Sequence, residues 1–336
     1  MSKTILITGG AGYIGSHACL YGLENNYNIV ALDSLEKNTI NSIHKVEKLT
    51  NKSIKFYKGT SANPEILDQI FSENKIDIVM HFGGLKSVSE GEVKKLQYYS
   101  NNIAGTEMLI MAAKNAGVKE FIFSSSAAVY GNSDTLPITT KTALNPSNYY
   151  GQTKLEGEKV ISEHIYNSEM GAVSFRYFNV VGNHKNGELG ENPQLATNLL
   201  PILFKNILGQ IEEVSIFGGS FNTKDGSQER DYIDVYDLIR AHYLAINKSQ
   251  AGQNLILNLS TGKSTSCFEM IRLVNDTTNK EVKFRIVEAR KNDPVLSYST
   301  FDEANLVLNW SPEVSLKESI QNQWKWISQN PQGHNS

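Results

Sequence analysis

Hydrophobic and polar positions along the first half of the chain follow two alternating periods. Short apolar runs at Thr4–Thr8, Asn28–Leu32, Ile54–Tyr57, Ile76–Met80, Glu120–Ser124 and Ala172–Tyr177 predict buried strands. Between them, Pro64–Glu73 and Gly105–Ala116 repeat apolar residues three and four apart, the period of an amphipathic helix. Strands alternating with helices at this spacing predict a parallel sheet covered on both faces. Such sheets take ligands beyond the carboxyl ends of their strands, near the point where strand order reverses. After Phe178 the texture changes. The stretch "NVVGNHKNGELGENPQ" is rich in Gly and Asn and reads as a long loop. A helical pattern over Leu195–Leu208 follows, then short strand and helix patterns as far as Trp326. No repeat, low-complexity tract or disordered linker intervenes. The pattern predicts a first domain over 1–177 and a smaller lobe over 178–336, with the segment from about 231 to 258, "RDYIDVYDLIRAHYLAI" included, rejoining the first.

Composition narrows the class. A chain of 336 residues with 40% hydrophobic and 20% charged residues has the makeup of a globular enzyme with a sizeable core. A net charge of −3 gives no general attraction to nucleic acid or to acidic lipid, so neither is expected as a partner. Cys19 and Cys267 are too few for a disulfide scaffold or a cysteine-rich metal site. The seven histidines show no ligand spacing, so no metal is expected, and His17 and His81 read as structural. No apolar run approaches the roughly 20 residues needed to span a bilayer. The chain enters its first strand without a basic leader and cleavage site. A cytoplasmic setting is therefore expected, and the sequons at Asn51, Asn247, Asn258 and Asn275 read as chance.

The chemistry is concentrated at the predicted strand ends. "ILITGGAGYIGSHACL" holds two overlapping glycine frames, Gly10, Gly12, Gly15 and Gly9, Gly12, Gly15. Either predicts a strand, a tight turn and a helix beginning near Tyr13, whose free amides and partial positive charge receive a pyrophosphate. Asp33 ends the second strand, where a carboxylate binds the adenosine ribose hydroxyls and repels a 2′-phosphate; this favours NAD over NADP. "FIFSSSAAVYG" ends the fifth strand, and "NPSNYYGQTKLEGE" places Tyr150 and Lys154 on one face of a starting helix. A free phenol titrates near ~10 and is a poor base at neutral pH. The Lys154 ammonium and a positively charged nicotinamide are expected to lower that value. A change of about three units needs roughly 4 kcal/mol, within reach of two partly desolvated charges. A hydroxyl from Ser124–Ser126 can bond the reacting oxygen. This set suits hydride transfer at a carbinol, with Tyr150 taking the proton while NAD takes the hydride. Tyr/Lys pairs are common on helices; the glycine loop and the strand-end serines are what separate this one from an ordinary pair.

Together, T-G-G-x-G-Y-I-G-S-H, H-F-G-G-L-K, N-N-x-x-G-T, S-S-S-A-x-V-Y-G, Y-x-x-x-K and R-Y-F-N resemble the extended short-chain dehydrogenase/reductase family. Through "NLLP", "QERDYI" and "NPQG" the likeness extends over nearly the whole chain to that family's UDP-hexose 4-epimerases. The resemblance implies an α/β fold, a Rossmann-like doubly wound parallel sheet with a smaller C-terminal substrate-binding lobe, and the frame Gly9, Gly12, Gly15. It implies NAD as cofactor, a UDP-sugar as substrate, interconversion of UDP-glucose and UDP-galactose, and a homodimer formed through a helix pair that includes Gly105–Ala116. By the same resemblance Tyr13, Ile14, Asp33, Asn38, Thr60 and Ser61 border the cofactor, with Phe82, Gly83, Gly84, Lys86, Asn101 and Phe178 lining the rest of its site. Ser126, Tyr150 and Lys154 are the implied catalytic set, Lys154 also holding the nicotinamide ribose. Lys86, Asn179, Asn198, Leu199, Phe217, Arg230, Arg290 and Asp293 are the implied UDP-sugar contacts. Ser297, four residues after Asp293, falls where a small side chain leaves room for a 2-acetamido group.

The chain departs from the family pattern at Thr60, where an acid usually contacts adenine, and at "ARKND", which replaces R-R-x-G-D. It also has Tyr149 where Pro is common and Asp234 where His is common. A 4,6-dehydratase needs an acid beside the catalytic hydroxyl, yet Ala127 and Ala128 stand there. A non-catalytic NAD-binding protein on the same fold has no need of Ser126, Tyr150 and Lys154 together.

Overall fold

The structure, a computed structural model, describes residues 2–290 and 293–335. Strand β1 (Thr4–Thr8) leads into helix α1 (Tyr13–Glu24), β2 (Asn28–Asp33), α2 (Asn41–Thr50), β3 (Lys55–Lys58), α3 (Pro64–Glu73) and β4 (Ile78–His81). Helices α4 (Val88–Val93) and α5 (Lys95–Tyr98) run through a π-helical turn, Tyr99–Ala104, into α6 (Gly105–Asn115). Then come β5 (Glu120–Ser124), α7 (Tyr149–Ile165) and β6 (Gly171–Tyr177). The third and fourth strands begin later than the apolar runs suggest: Ile54 and Ile76 are buried but precede the hydrogen-bonded ladder. Local chemistry fixes the helix starts. In α3, Asn63 caps the amide of Ile66 and Pro64 supplies a preset φ at the first position.

The loop reading after Phe178 needs correction, because Asn179–Val181 forms strand β7. The helix expected from Leu195 begins only at Leu199: Asn192 and Pro193 fold the preceding residues into turns, and Asn198 becomes the N-cap of α8 (Leu199–Ile207). Beyond it lie β8 (Val214–Phe217), β9 (Glu229–Arg230), β10 (Tyr232–Asp234), α9 (Val235–Leu244) and β11 (Asn254–Leu259). The chain ends through β12 (Thr265–Ser266), α10 (Cys267–Thr278), β13 (Phe284–Val287), β14 (Leu296–Ser297), α11 (Asp302–Leu308) and α12 (Leu316–Gln329).

Seven strands pair in parallel in the order β11-β6-β5-β4-β1-β2-β3. Strand order reverses at β1, between β2 and β4, which opens a crevice above their carboxyl ends. One face of the sheet packs Ile5, Ile7 and Ala31 against α1 and α9; the Tyr243 hydroxyl of α9 donates to the Ala18 carbonyl at 2.7 Å. The other face packs Leu6, Val79 and Phe121 against Leu109, Ile110 and Ile161 of α6 and α7. Each of the larger side chains among these contributes roughly 1.5–3 kcal/mol on burial, so these layers hold the strand ends in place. A separate cluster, including Phe204, Ile216, Met270 and Trp326, forms the core of the second lobe.

Candidate active site

The turn after β1 is closed to side chains. Gly9 has φ +68°, and a Cβ there would approach the Gly83 amide nitrogen to 2.9 Å. The Gly12 amide donates to the Gly9 carbonyl at 3.0 Å, and a Cβ on Gly15 would strike that same carbonyl. The tight approaches therefore connect Gly9, Gly12 and Gly15. Helix α1 has no side-chain cap, so its first amides face the crevice without a side-chain partner. Asp33 is buried at the end of β2, accepting from the Ala11 amide at 3.1 Å and the Leu35 amide at 2.9 Å. Asn38 Nδ2 lies 3.4 Å from the same carboxylate, whose pKa burial raises despite these donors. Phe82 and Gly83 are strapped to β1 through the Thr8 carbonyl and hydroxyl. Thr60 and Ser61 follow β3, with Ser61 packed beneath Gly105. A cradle that any Cβ would fill, uncapped helix amides and a carboxylate at the next strand end together fit a dinucleotide.

At the end of β5 the catalytic candidates meet. Asn148 caps α7 by accepting from the Gly151 amide at 2.8 Å, and Gly151 sits where a Cβ would reach within 2.5 Å of the Ala128 carbonyl. That close approach seats the half-buried Tyr150 beside Ser126, whose hydroxyl hydrogen-bonds the phenol. Lys154 is buried one turn on, donating to the Ser124 carbonyl at 2.7 Å with Nζ 6.0 Å from the Tyr150 ring centre. Without the positive charge of a bound nicotinamide, burial raises the Tyr150 pKa and the Ser126 bond only partly offsets this, while the Lys154 ammonium is held in place by the Ser124 carbonyl. Burial also brings Lys154 down to about 8, against the opposing influence of Glu158.

Other candidates are arranged unevenly. Asn101 lies half-buried in the π-helical turn and makes no side-chain hydrogen bond among the described residues. Its neighbour Asn102, which the motif reading passed over, holds both backbone groups of Leu85 (2.8 and 2.9 Å) and Thr153 (3.0 Å). It thus fixes the loop that carries Phe82, Gly83, Gly84 and Lys86. Lys86 reaches Glu191 across the crevice at 3.3 Å. Tyr13 turns its hydroxyl away from the glycine loop to the Gly182 carbonyl, leaving its backbone to the pyrophosphate end. Phe178 is buried, and the Asn179 amide group donates to the Asp231 carbonyl at 3.1 Å. Asn198 is exposed and, although an N-cap, makes no capping bond; Leu199 beside it is half-buried. Arg230 pairs with Asp293 at 2.8 Å, and the Arg290 guanidinium stacks 3.7 Å over the Phe217 ring. Lys291 and Asn292 of the departing "ARKND" loop lie outside the described residues. His17 bonds the Tyr13 carbonyl, while His81 lies between Thr8 and Thr106; burial holds them at about 4 and about 3. No metal-binding group of three or more His, Cys, Asp or Glu occurs among the described residues.

Residues 5–260 match the NAD dependent epimerase/dehydratase family. The chain belongs to that family. Within reach of this family assignment, the UDP-glucose 4-epimerase of Bacillus subtilis is 39% identical over 336 residues, covering 99% of each chain. The solved UDP-glucose 4-epimerase of Bifidobacterium longum, in complex with NAD+ and UDP, matches with a TM-score of 0.94 at 34% identity. That match covers 98% of this chain and 100% of the other. The UDP-Glc/GlcNAc 4-epimerase of Campylobacter jejuni matches at 0.84 and 29% identity, covering 98% and 100%. The family assignment, the doubly wound sheet and the glycine cradle agree with one another.

Proposed function

We propose that this chain is an NAD-dependent epimerase that interconverts UDP-glucose and UDP-galactose. The observation that carries the reading is the meeting of Ser126, Tyr150 and Lys154 at the end of β5, beside the cradle of Gly9, Gly12 and Gly15. Residues 1–177 would hold the cofactor, through the α1 amides, Asp33, Asn38, the 60–61 turn, the Phe82–Lys86 loop and Asn101, joined by Phe178 just beyond them. The second lobe would hold UDP through Asn179, Asn198, Leu199, Phe217, Arg230, Arg290 and Asp293. Two arginines suit a diphosphate, since guanidinium grips its oxygens bidentately. The Asp293 carboxylate keeps Arg230 oriented.

NAD, when bound, supplies hydride acceptance at the sugar C4, its return to the opposite face, and a positive charge near the phenol. Tyr150 then takes the C4 hydroxyl proton, with Ser126 hydrogen-bonding the same oxygen. Lys154, charged below about pH 8, stabilises the phenolate. The 4-keto sugar turns about its diphosphate anchor, and Tyr150 gives the proton back after the other face has been reduced. Ala127 and Ala128 directly follow Ser126 and transfer no proton, which disfavours water loss. Ser297 extends the proposal to the UDP-GlcNAc/UDP-GalNAc pair. Two copies of the chain are proposed to pair through the exposed apolar side chains of α5 and α6. A cytoplasmic setting accords with two free cysteines and no disulfide among the described residues. No helix among them is long and apolar enough to cross a membrane.

Incubating the purified protein with UDP-galactose and analysing the sugar tests the reading; UDP-glucose is the expected product. Tyr150→Phe should keep the fold and lose about 10²–10⁴-fold in rate. A 4-keto-6-deoxy product would make the enzyme a dehydratase, and near-normal turnover of the variant would assign the base elsewhere.

A further inference from the structure

Three consecutive serines leave the end of β5, and each is engaged differently. The Ser124 carbonyl holds Lys154, and the Ser126 hydroxyl bonds Tyr150. Ser125 is fully buried and donates its hydroxyl to Glu158. Glu158 lies one helical turn beyond Lys154 and two beyond Tyr150, on the same face of α7. Arg176, on β6, grips its carboxylate from behind through Nε at 2.9 Å and Nη2 at 2.6 Å. The remaining Arg176 amino group meets the Tyr130 hydroxyl at 3.0 Å, which donates in turn to Asn258 at 2.7 Å. Glu158 and Arg176 are each only 4% exposed.

We propose that Glu158 is a positioning residue for the epimerase reaction: its carboxylate, clamped by Arg176, pins Ser125 and so sets where Ser126 and Lys154 stand relative to Tyr150. The proposal rests on the catalytic reading given above. A buried ion pair is a poor way merely to join a helix to a strand, since an apolar pair of similar volume does as well or better. What an apolar pair cannot do is accept the Ser125 hydroxyl, or place a negative charge one turn from Lys154. That charge opposes the burial that brings Lys154 down, and it is the one charged neighbour raising the lysine. The other titratable groups around this strand end are Tyr150 on α7, Tyr177 and Arg176 on β6, His81 on β4 and His242 on α9. The two histidines stay neutral, at about 3 and about 4.

Three variants test the assignment. Ser125→Ala leaves the ion pair intact but frees the serine run. It should keep the melting temperature and the KM for UDP-galactose while kcat falls about 10–100-fold, as for a small misplacement of a reacting group. Glu158→Gln should bring the alkaline limb of kcat to lower pH, because Lys154 then loses its proton sooner. The double variant Glu158→Gln with Arg176→Gln buries no lone guanidinium and guards against a folding failure of the single one. In it, NMR titration of lysine-labelled protein, with Lys154 assigned by Lys154→Arg, should show the same downward displacement without any turnover. A kcat within about twofold of wild type in Ser125→Ala, or a Lys154 titration unmoved in the double variant, overturns the role of Glu158. Failure of the wild type to epimerise UDP-galactose would instead overturn the activity reading, which the lysine titration does not depend on.

Discussion

In the proposed reading, Ser297 is the side chain that decides which sugars enter. In β14 it is paired with Arg230, and its carbonyl accepts the Asp231 amide at 3.0 Å. Directly paired residues of neighbouring strands present their side chains on the same face, while successive residues of one strand alternate. Ser297 therefore shares a face with Arg230, the proposed diphosphate contact, and Tyr298 points the other way. This pairing argues against a one-residue slip that would put the tyrosine at the gate, despite the altered loop before Asp293. In that reading a serine would leave room beside C2 of the hexose, since a pocket excludes a substrate by clash more decisively than one contact recruits it. The wild type is expected to turn over UDP-GlcNAc and UDP-GalNAc as well as the unacetylated pair. Ser297→Tyr should cut kcat/KM for the acetamido sugars by about tenfold or more and spare the others. Equal acetamido activity in both proteins, or a wild type confined to UDP-glucose and UDP-galactose, would sink the gate assignment.

At the scale of elements, the start of α9 carries an unusual load. Asp234 caps the helix by accepting from the Tyr236 amide at 2.7 Å, and its other oxygen accepts from Ser319 of α12 at 2.6 Å. A helix N-terminus favours a carboxylate, but burial outweighs the cap here and raises Asp234 to about 7. Because the folded value lies above the unfolded one, the folded state binds the proton more tightly. The stability this residue contributes is complete below about pH 4 and is lost as the pH rises towards 7. Asp234→Asn keeps the cap and removes the titration, so its stability relative to wild type should climb across that window by up to about 4 kcal/mol. Parallel thermal-unfolding curves for the two proteins from pH 4 to 8 would place the proton on another group. His was the residue expected at this cap from the family likeness, and nothing in the local sequence announces the burial that gives Asp234 its behaviour. The same division between local and distant contacts holds across the molecule. Sheet strands and the glycine loop were legible because period and turn chemistry are local, and Tyr150 and Lys154 because one helical turn joins them. Strand β7 carries no strand signal of its own in the sequence because its partner, Tyr232–Asp234, lies far along the chain. Asn102, Ser125 with Glu158, and Arg230 with Asp293 likewise acquire their roles only from residues that folding brings beside them.

For the whole molecule, the telling feature is what remains uncovered. Along α5, the π-helical turn and α6, Leu96, Tyr99, Met108 and Met111 are exposed, Leu96 at 87%. Val93, at the end of α4, is exposed at 84%. The opposite side of α6 is already committed to the core through Leu109, Ile110 and Ala113, so these residues form a second apolar stripe that the monomer does not use. The π-helical turn joins the exposed Leu96 and Tyr99 to the helix that carries Met108 and Met111. Single exposed apolar residues are ordinary, whereas a run of them along one helical face marks an interaction surface. A second copy meeting this face would make a self-complementary two-fold contact. A stable one would bury on the order of 1,600 Å² in total. The wild type should therefore sediment as a dimer at micromolar concentration. Met108→Glu with Met111→Glu should sediment as a monomer while retaining the fold, because both side chains already face solvent in the monomer and two buried carboxylates per copy would oppose reassembly. A wild type that sediments as a monomer, or a double-glutamate variant that remains a dimer, would take the interface away from this face.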